Sequence, residues 1–284
     1  LQLSLFKHQL EKRSVEDINA FLTTYKTLPF KHSLRVLALK KKFKKRQWQD
    51  VIALYRPGDR TSYQCMQLTA LYKSKQQQEA LAQVDSLWLT GSSLPKQCDY
   101  IIKRWQKAGK QTSQLTLQRI ELTLKKREGR LAKYLAKSLN AKDKATYLYW
   151  KKLYNKPQMV SKSHYWKKRG HFANIAMKIA IERITYRDID KAITLIDNIE
   201  KHIGFTEKTR HQLINNIALR AMLKEKESAQ FALSHITWST LNAAKQEQIL
   251  RHLVTINQWA TISELYMAHY QSIDAPLEWQ YWYA

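Results

Sequence analysis

"QQQEALAQVDSLWLTG", residues 76–91, reads as a helix with one apolar stripe. Ala80, Leu81, Val84, Leu87 and Trp88 fall at i, i+1, i+4, i+7 and i+8, the period of an α-helix, and Gly91 follows as a stop. "SSLPKQCDYIIKRWQKAG" (92–109) comes next. Ser and Pro open it, Cys98, Ile101, Ile102 and Trp105 share a face, and Gly109 closes it. Working outward, "SQLTLQRIELTLKKREG" (113–129) is read as ending at Gly129 and "RLAKYLAKSLN" (130–140) at Asn140. "DIDKAITLIDNIEKHIG" (188–204) stops at Gly204 after a basic last turn suited to the helix dipole. "TEKTRHQLINNIALRAML" (206–223) starts on the capping residue Thr206, and "STLNAAKQEQILRHLVTIN" (239–257) and "ATISELYMAHYQS" (260–272) continue the pattern. About fourteen helices of roughly ten to eighteen residues, joined by short links, predict an all-α fold: an α-solenoid of stacked helical hairpins over 1–284, read as a single domain. No tetratricopeptide consensus recurs.

Composition points the same way. Of 284 residues, 44% are apolar, enough to bury a core, so a disordered polybasic tail is excluded. Only 6 Gly and 5 Pro are present, too few for all-β folds or Gly-rich phosphate loops. The net charge is +26. Residues 1–154 hold 32 Lys+Arg against 11 Asp+Glu, and residues 155–284 hold 17 against 12. Such a field attracts polyanions: nucleic acid, anionic lipid, or a cell-wall glycan bearing peptide carboxylates. No stretch approaches the ~18 apolar residues of a membrane-spanning helix. The chain begins with Leu, so its true start is expected to have been removed, and a secretory signal could have preceded it.

Motifs for chemistry are missing. There is no HExxH, P-loop, GxGxxG or GxSxG. His164 and His171, or His202 and His211, read as scattered surface or capping residues, so neither a metal nor a cofactor is expected. Cys65 and Cys98 form no CxxC, and by themselves leave two buried thiols as open as a pair. The nine Trp are spread over the whole length, which suits gap-filling between helices better than stacking platforms for sugars or bases. What remains is basic surface. In "SLRVLALKKKFKKRQW" (33–48), Val36, Leu39 and Phe43 share a face; Lys41, Lys44 and Lys45 project from the other side, with Lys40, Lys42 and Arg46 at the flanks. "YWKKLY" (149–154) and "YWKKRG" (165–170) interleave aromatics with Lys151, Lys152, Lys167, Lys168 and Arg169. Rings can face sugars while cations meet acids.

The stretch "LWLTGSSLPKQCDYIIKRWQKAGKQ" (87–111) closely resembles a segment of the soluble lytic murein transglycosylases. "TYKTLPFKHSLRVLALKKKFKKRQWQDVIALYRP" (24–57) and the terminal "EWQYWYA" (278–284) are similar to flanking parts of that family, and so is the 33-residue spacing of Cys65 and Cys98. The resemblance implies the family's U-domain, a helical superhelix that bends into a ring with a linker domain and carries a lysozyme-like catalytic domain. It implies a periplasmic protein of Gram-negative bacteria. Its partners would be peptidoglycan glycan strands, with other cell-wall enzymes as further candidates. The family cleaves the bond between N-acetylmuramic acid and N-acetylglucosamine, with a Glu in a Glu-Ser signature as general acid. Here the sole Glu-Ser pair is Glu227-Ser228 in "KEKES", and nothing around it matches. No catalytic residue carries over, and the catalytic domain is expected outside this sequence. The alternative is a basic α-solenoid that binds nucleic acid or a protein partner. The resemblance also implies a Cys65–Cys98 disulfide, worth about 3–4 kcal/mol on the chain-entropy account. Reductant should lower the melting temperature; an unchanged melting curve would count against the bond.

Overall fold

The computed structural model describes residues 6, 9–10, 12–25, 30–162, 171–201, 204–224, 229–270 and 275–283. Among them every regular element is helical. Contacts divide the chain into two compact units, 1–144 and 145–284.

The first unit runs α1 (Val15–Thr24), α2 (Lys31–Lys44), α3 (Trp48–Leu54), α4 (Thr61–Lys73), α5 (Gln77–Ala82), α6 (Val84–Trp88), a 3-10 turn (Lys96–Cys98), α7 (Asp99–Lys107), α8 (Ser113–Lys125) and α9 (Gly129–Leu135). After α10 (Ala141–Asn155), which spans the boundary, the second holds α11 (His171–Arg187), α12 (Ile189–Ile193), α13 (Ile196–Lys201), α14 (Glu207–Leu223), α15 (Ala229–Ser234), α16 (Ala243–Thr255), α17 (Trp259–His269) and α18 (Leu277–Tyr283). Most helices pack against their sequence neighbours, and the long helix of one hairpin lies against the long helix of the next: α2 on α4, α11 on α14, α14 on α16. This is the stacked-hairpin solenoid expected from the periodicity. The central helices are buried nearly all round. In α4, Tyr63 through Leu71 except Gln64 are buried, and in α14 so are Leu213, Ile214, Ile217, Ala218, Leu219, Ala221 and Met222.

Caps fix where helices begin. Ser14 and Asp17 form a capping box ahead of α1. Thr112, Asp188, Thr206 and Asn242 each accept a backbone N–H of the first turn that follows. Two expected stops prove to be starts. Gly129 opens α9 rather than closing a helix, and Asn140 accepts from the Asp143 N–H at 2.8 Å, ahead of α10. The stretch 76–88 is nearly continuous helix, since Gln83 between α5 and α6 keeps right-handed backbone angles.

The turns inside the hairpins share one device. Helices α2, α4, α8 and α16 each end two residues before a non-glycine in the left-handed region: Arg46 (φ 60), Lys75 (φ 66), Arg127 (φ 64) and Asn257 (φ 57). The next N–H then reaches back to a carbonyl of the last turn: Gln47 to Lys42 at 3.0 Å, Gln76 to Leu71 at 3.0 Å, Glu128 to Thr123 at 2.8 Å and Gln258 to Leu253 at 2.9 Å. This is a Schellman closure, usually built on glycine. The following helix starts at once, at Trp48, Gln77, Gly129 and Trp259. Gly109 (φ 71) makes the same closure after α7.

An L side chain in this region costs about 1–2 kcal/mol, partly regained from restricted chain entropy. Lys75→Gly should therefore raise unfolding stability by about 0.5–1 kcal/mol, read from urea melts. A loss of stability would mean that the Lys75 side chain contributes more than its strain costs.

Candidate functional site

In the first unit α4 packs against the 3-10 turn and α7. A disulfide joins Cys65 of α4 to Cys98, the last residue of the 3-10 turn, both fully buried. Beneath it, Trp105 is buried and donates its indole N–H to Asp85 Oδ1 at 2.7 Å; its ring lies 5.2 Å from that of Trp88. Gly91 allows the chain to cross α8. A Cβ built there would lie 2.5 Å from the Leu122 carbonyl oxygen and 2.9 Å from its carbon. Thus much of the distinctive stretch 87–111 is packing, not chemistry.

On the outside of that junction the fold assembles a cluster that no linear reading showed. Tyr72 and Lys73 come from the end of α4, Tyr100 and Arg104 from α7. The two rings meet edge-on at 6.1 Å. Lys73 Nζ lies 4.8 Å from the centre of the Tyr100 ring. The Arg104 guanidinium lies 5.8 Å from Tyr72 and 5.2 Å from Tyr100. Burial pushes the Tyr100 phenol up, but hydrogen bonding and charge from Lys73 and Arg104 more than offset this and hold it below its ordinary value. Cation–π contacts at such exposure are worth only about 0.5–1 kcal/mol, so both exposed cations keep their reach toward an anion. The pairing joins Tyr72 and Tyr100, 28 residues apart in sequence; only the disulfide partners, Cys65 seven residues before the one and Cys98 two before the other, signalled it.

The lysine run is partly different from its linear reading. Lys44 and Lys45 are exposed and Lys41 is half-buried; all three gather at the C-terminal end of α2, where cations suit the helix dipole. Lys42 is not a flanking surface residue. It is 3% exposed, pairs with Asp50 at 2.8 Å and donates to the Arg13 carbonyl at 2.8 Å. The seam expected from Val36, Leu39 and Phe43 is present: Val36 and Leu39 are buried, and Phe43 packs on the core beside Trp48 at 5.6 Å. On α10 of the second unit, Lys151 is half-buried and Lys152 exposed. Lys167, Lys168 and Arg169 lie outside the described residues, as do His164, His202 and Glu227-Ser228. Among the tryptophans, Trp105, Trp150 and Trp279 are fully buried and Trp88 and Trp238 nearly so, whereas Trp259 and Trp282 stack 6.1 Å apart and stay partly exposed. Among the described residues no helix is long and apolar enough to cross a membrane.

No family model matches the chain. The soluble lytic murein transglycosylase of Escherichia coli K12 is 24% identical over 276 residues, which cover 94% of this chain and 42% of that protein. The chain is a homologue of the soluble lytic murein transglycosylases. It spans less than half the length of the curated relatives it matches. Solved structures of the family share its fold. Lytic transglycosylase Slt of Pseudomonas aeruginosa, solved as an inactive mutant, superposes with a TM-score of 0.75 at 22% identity, over 98% of this chain and 45% of that one. The 70-kDa enzyme of Escherichia coli gives 0.68 at 20%, over 98% and 45%.

The crossing at Gly91 yields a direct test. Leu122 offers a backbone carbonyl, which cannot move aside as a flexible side chain would. Gly91→Ala should cost about 1–3 kcal/mol in chemical unfolding, as overpacking does. An unchanged midpoint would show that this crossing is looser than the geometry says.

Proposed function

We propose that this chain is the non-catalytic helical scaffold of a peptidoglycan lytic transglycosylase and that its basic surface holds glycan strands for a catalytic domain elsewhere in the protein. The observation that carries this reading is homology to murein transglycosylases across nearly the whole chain. The Cys65–Cys98 disulfide supports an oxidising compartment such as the periplasm.

The chemistry of the surface fits such a polymer. A peptidoglycan strand presents sugar faces and, at intervals, lactyl-linked peptides with carboxylates. Tyr72 and Tyr100 offer rings for the former, Lys73 and Arg104 offer charge for the latter, and the cations at the end of α2 extend the field. Side-chain charges on an exposed surface are screened by salt, so such binding is weak per contact and ionic-strength dependent. The charge of +26 keeps nucleic acid as the rival polyanion.

The purified chain should pellet with isolated sacculi at low salt, be released as salt rises, and show no lytic activity by itself. Lys73→Ala combined with Arg104→Ala should reduce pelleting on a well-folded chain, and so should Lys41, Lys44 and Lys45→Glu. Failure to pellet at low salt, together with tight binding to duplex DNA, would replace this reading with the nucleic-acid one.

A further inference from the structure

Arg119 sits in the middle of α8 and is 3% exposed. Its guanidinium lies over the Trp88 ring, 3.9 Å from the centroid, and donates to the Ser92 carbonyl at 3.2 Å. Among the described residues no carboxylate pairs with it, and its Nε has no hydrogen-bond partner. Trp88 is 4% exposed, and its indole N–H has no partner either. Two buried donor atoms without partners are costly, at about 1–3 kcal/mol each, and more for a charged group. Burial lowers the Arg119 pKa to about 10, which still leaves it a cation at neutral pH.

Both residues line one cavity of about 240 Å³ beside the disulfide. Leu94, Ile102 and Leu135 give it apolar walls, and Asp99, Lys103 and Tyr134 stand in its lining. Counting Arg119, Lys103 and Asp99, the site carries one net positive charge, which suits a monoanion and not a polyphosphate. Its volume is below the ~300–1,000 Å³ of drug-sized ligand sites, so it suits one or two small residues. The orphan donor atoms are screened from bulk water, whereas Asp99, Lys103 and Tyr134 of the lining are exposed.

We propose that this cavity binds the C-terminal carboxylate of a short peptide with small apolar side chains, the lining side chains shifting on binding so that its two oxygens accept from the Arg119 guanidinium and the Trp88 indole. The carboxylate chemistry stands on the cavity alone; taking a cell-wall peptide as its natural source rests on the function proposed above.

The probe is N-acetyl-D-alanyl-D-alanine, titrated into the full chain while the indole N–H resonances are followed by NMR, with Trp88→Phe used to assign the signal. Saturable movement of the Trp88 signal is expected, with the C-terminal amide of the same dipeptide binding at least about tenfold more weakly, as loss of a charge-assisted hydrogen bond requires. Arg119→Gln should lose the response in the same way. No saturable shift, or equal binding of acid and amide, overturns the site, and that comparison needs no variant to fold. Because the probe is a free dipeptide, its failure leaves sacculus pelleting to be read separately, and failure of pelleting leaves dipeptide binding to be read separately.

Discussion

No helix of this protein can bury its own apolar stripe. Many of the elements in the first unit run to fewer than ten residues, from Gln77–Ala82 to Asp99–Lys107. Isolated helices of that length are marginal in water, so each element owes its existence to a neighbour laid against it. The requirement is met by turning the chain sharply and repeatedly, and the left-handed residue two positions past a helix end is how that turn is made. Arg46, Lys75, Arg127 and Asn257 accept local strain so that the next helix starts within two residues and lies back on the one before. The rest follows: long helices shared between adjacent hairpins within each unit.

That dependence explains where stabilisation is concentrated. Where α4 passes α7, the disulfide, the Trp88–Trp105 contact, the indole bond to Asp85 and the Gly91 crossing all act on one short stretch. Fixing that stretch also aligns the ends of α4 and α7, so the aromatic and cationic groups outside are held at a set spacing by covalent and packing contacts beneath. Arg35 does comparable work nearer the N-terminus. It grips Asp59 through both carboxylate oxygens at 2.6 and 2.8 Å and also donates to the Leu54 carbonyl, tying α2 to the loop before α4. The guanidinium beside Asp59 holds that carboxyl below its usual range.

Helix periodicity, the capping role of Thr206 and the cysteine pairing implied by the family resemblance were legible in the sequence. Each is carried by residues whose meaning is local or whose order is distinctive. The hairpin turns were not, because the usual signal is glycine and four of these turns use Arg, Lys or Asn. Gly129 and Asn140 misled for the related reason that both residue types serve either end of a helix. Lys42 was read outward because a lysine beside five other basic residues looks solvated; only the approach of Asp50 and the Arg13 carbonyl shows otherwise. Arg119 and the Tyr72–Tyr100 cluster depend on tertiary neighbours, which a helical wheel does not contain.

The burial of Lys42 alters how the run of six basic residues meets a polyanion. Ions condensed on a charged polymer are set free only by protein charges that can reach it. The Lys42 ammonium is already matched by Asp50 inside the fold and has no part in that exchange. The segment therefore displaces fewer counter-ions than its composition suggests, and its hold on any anionic chain is correspondingly less sensitive to added salt.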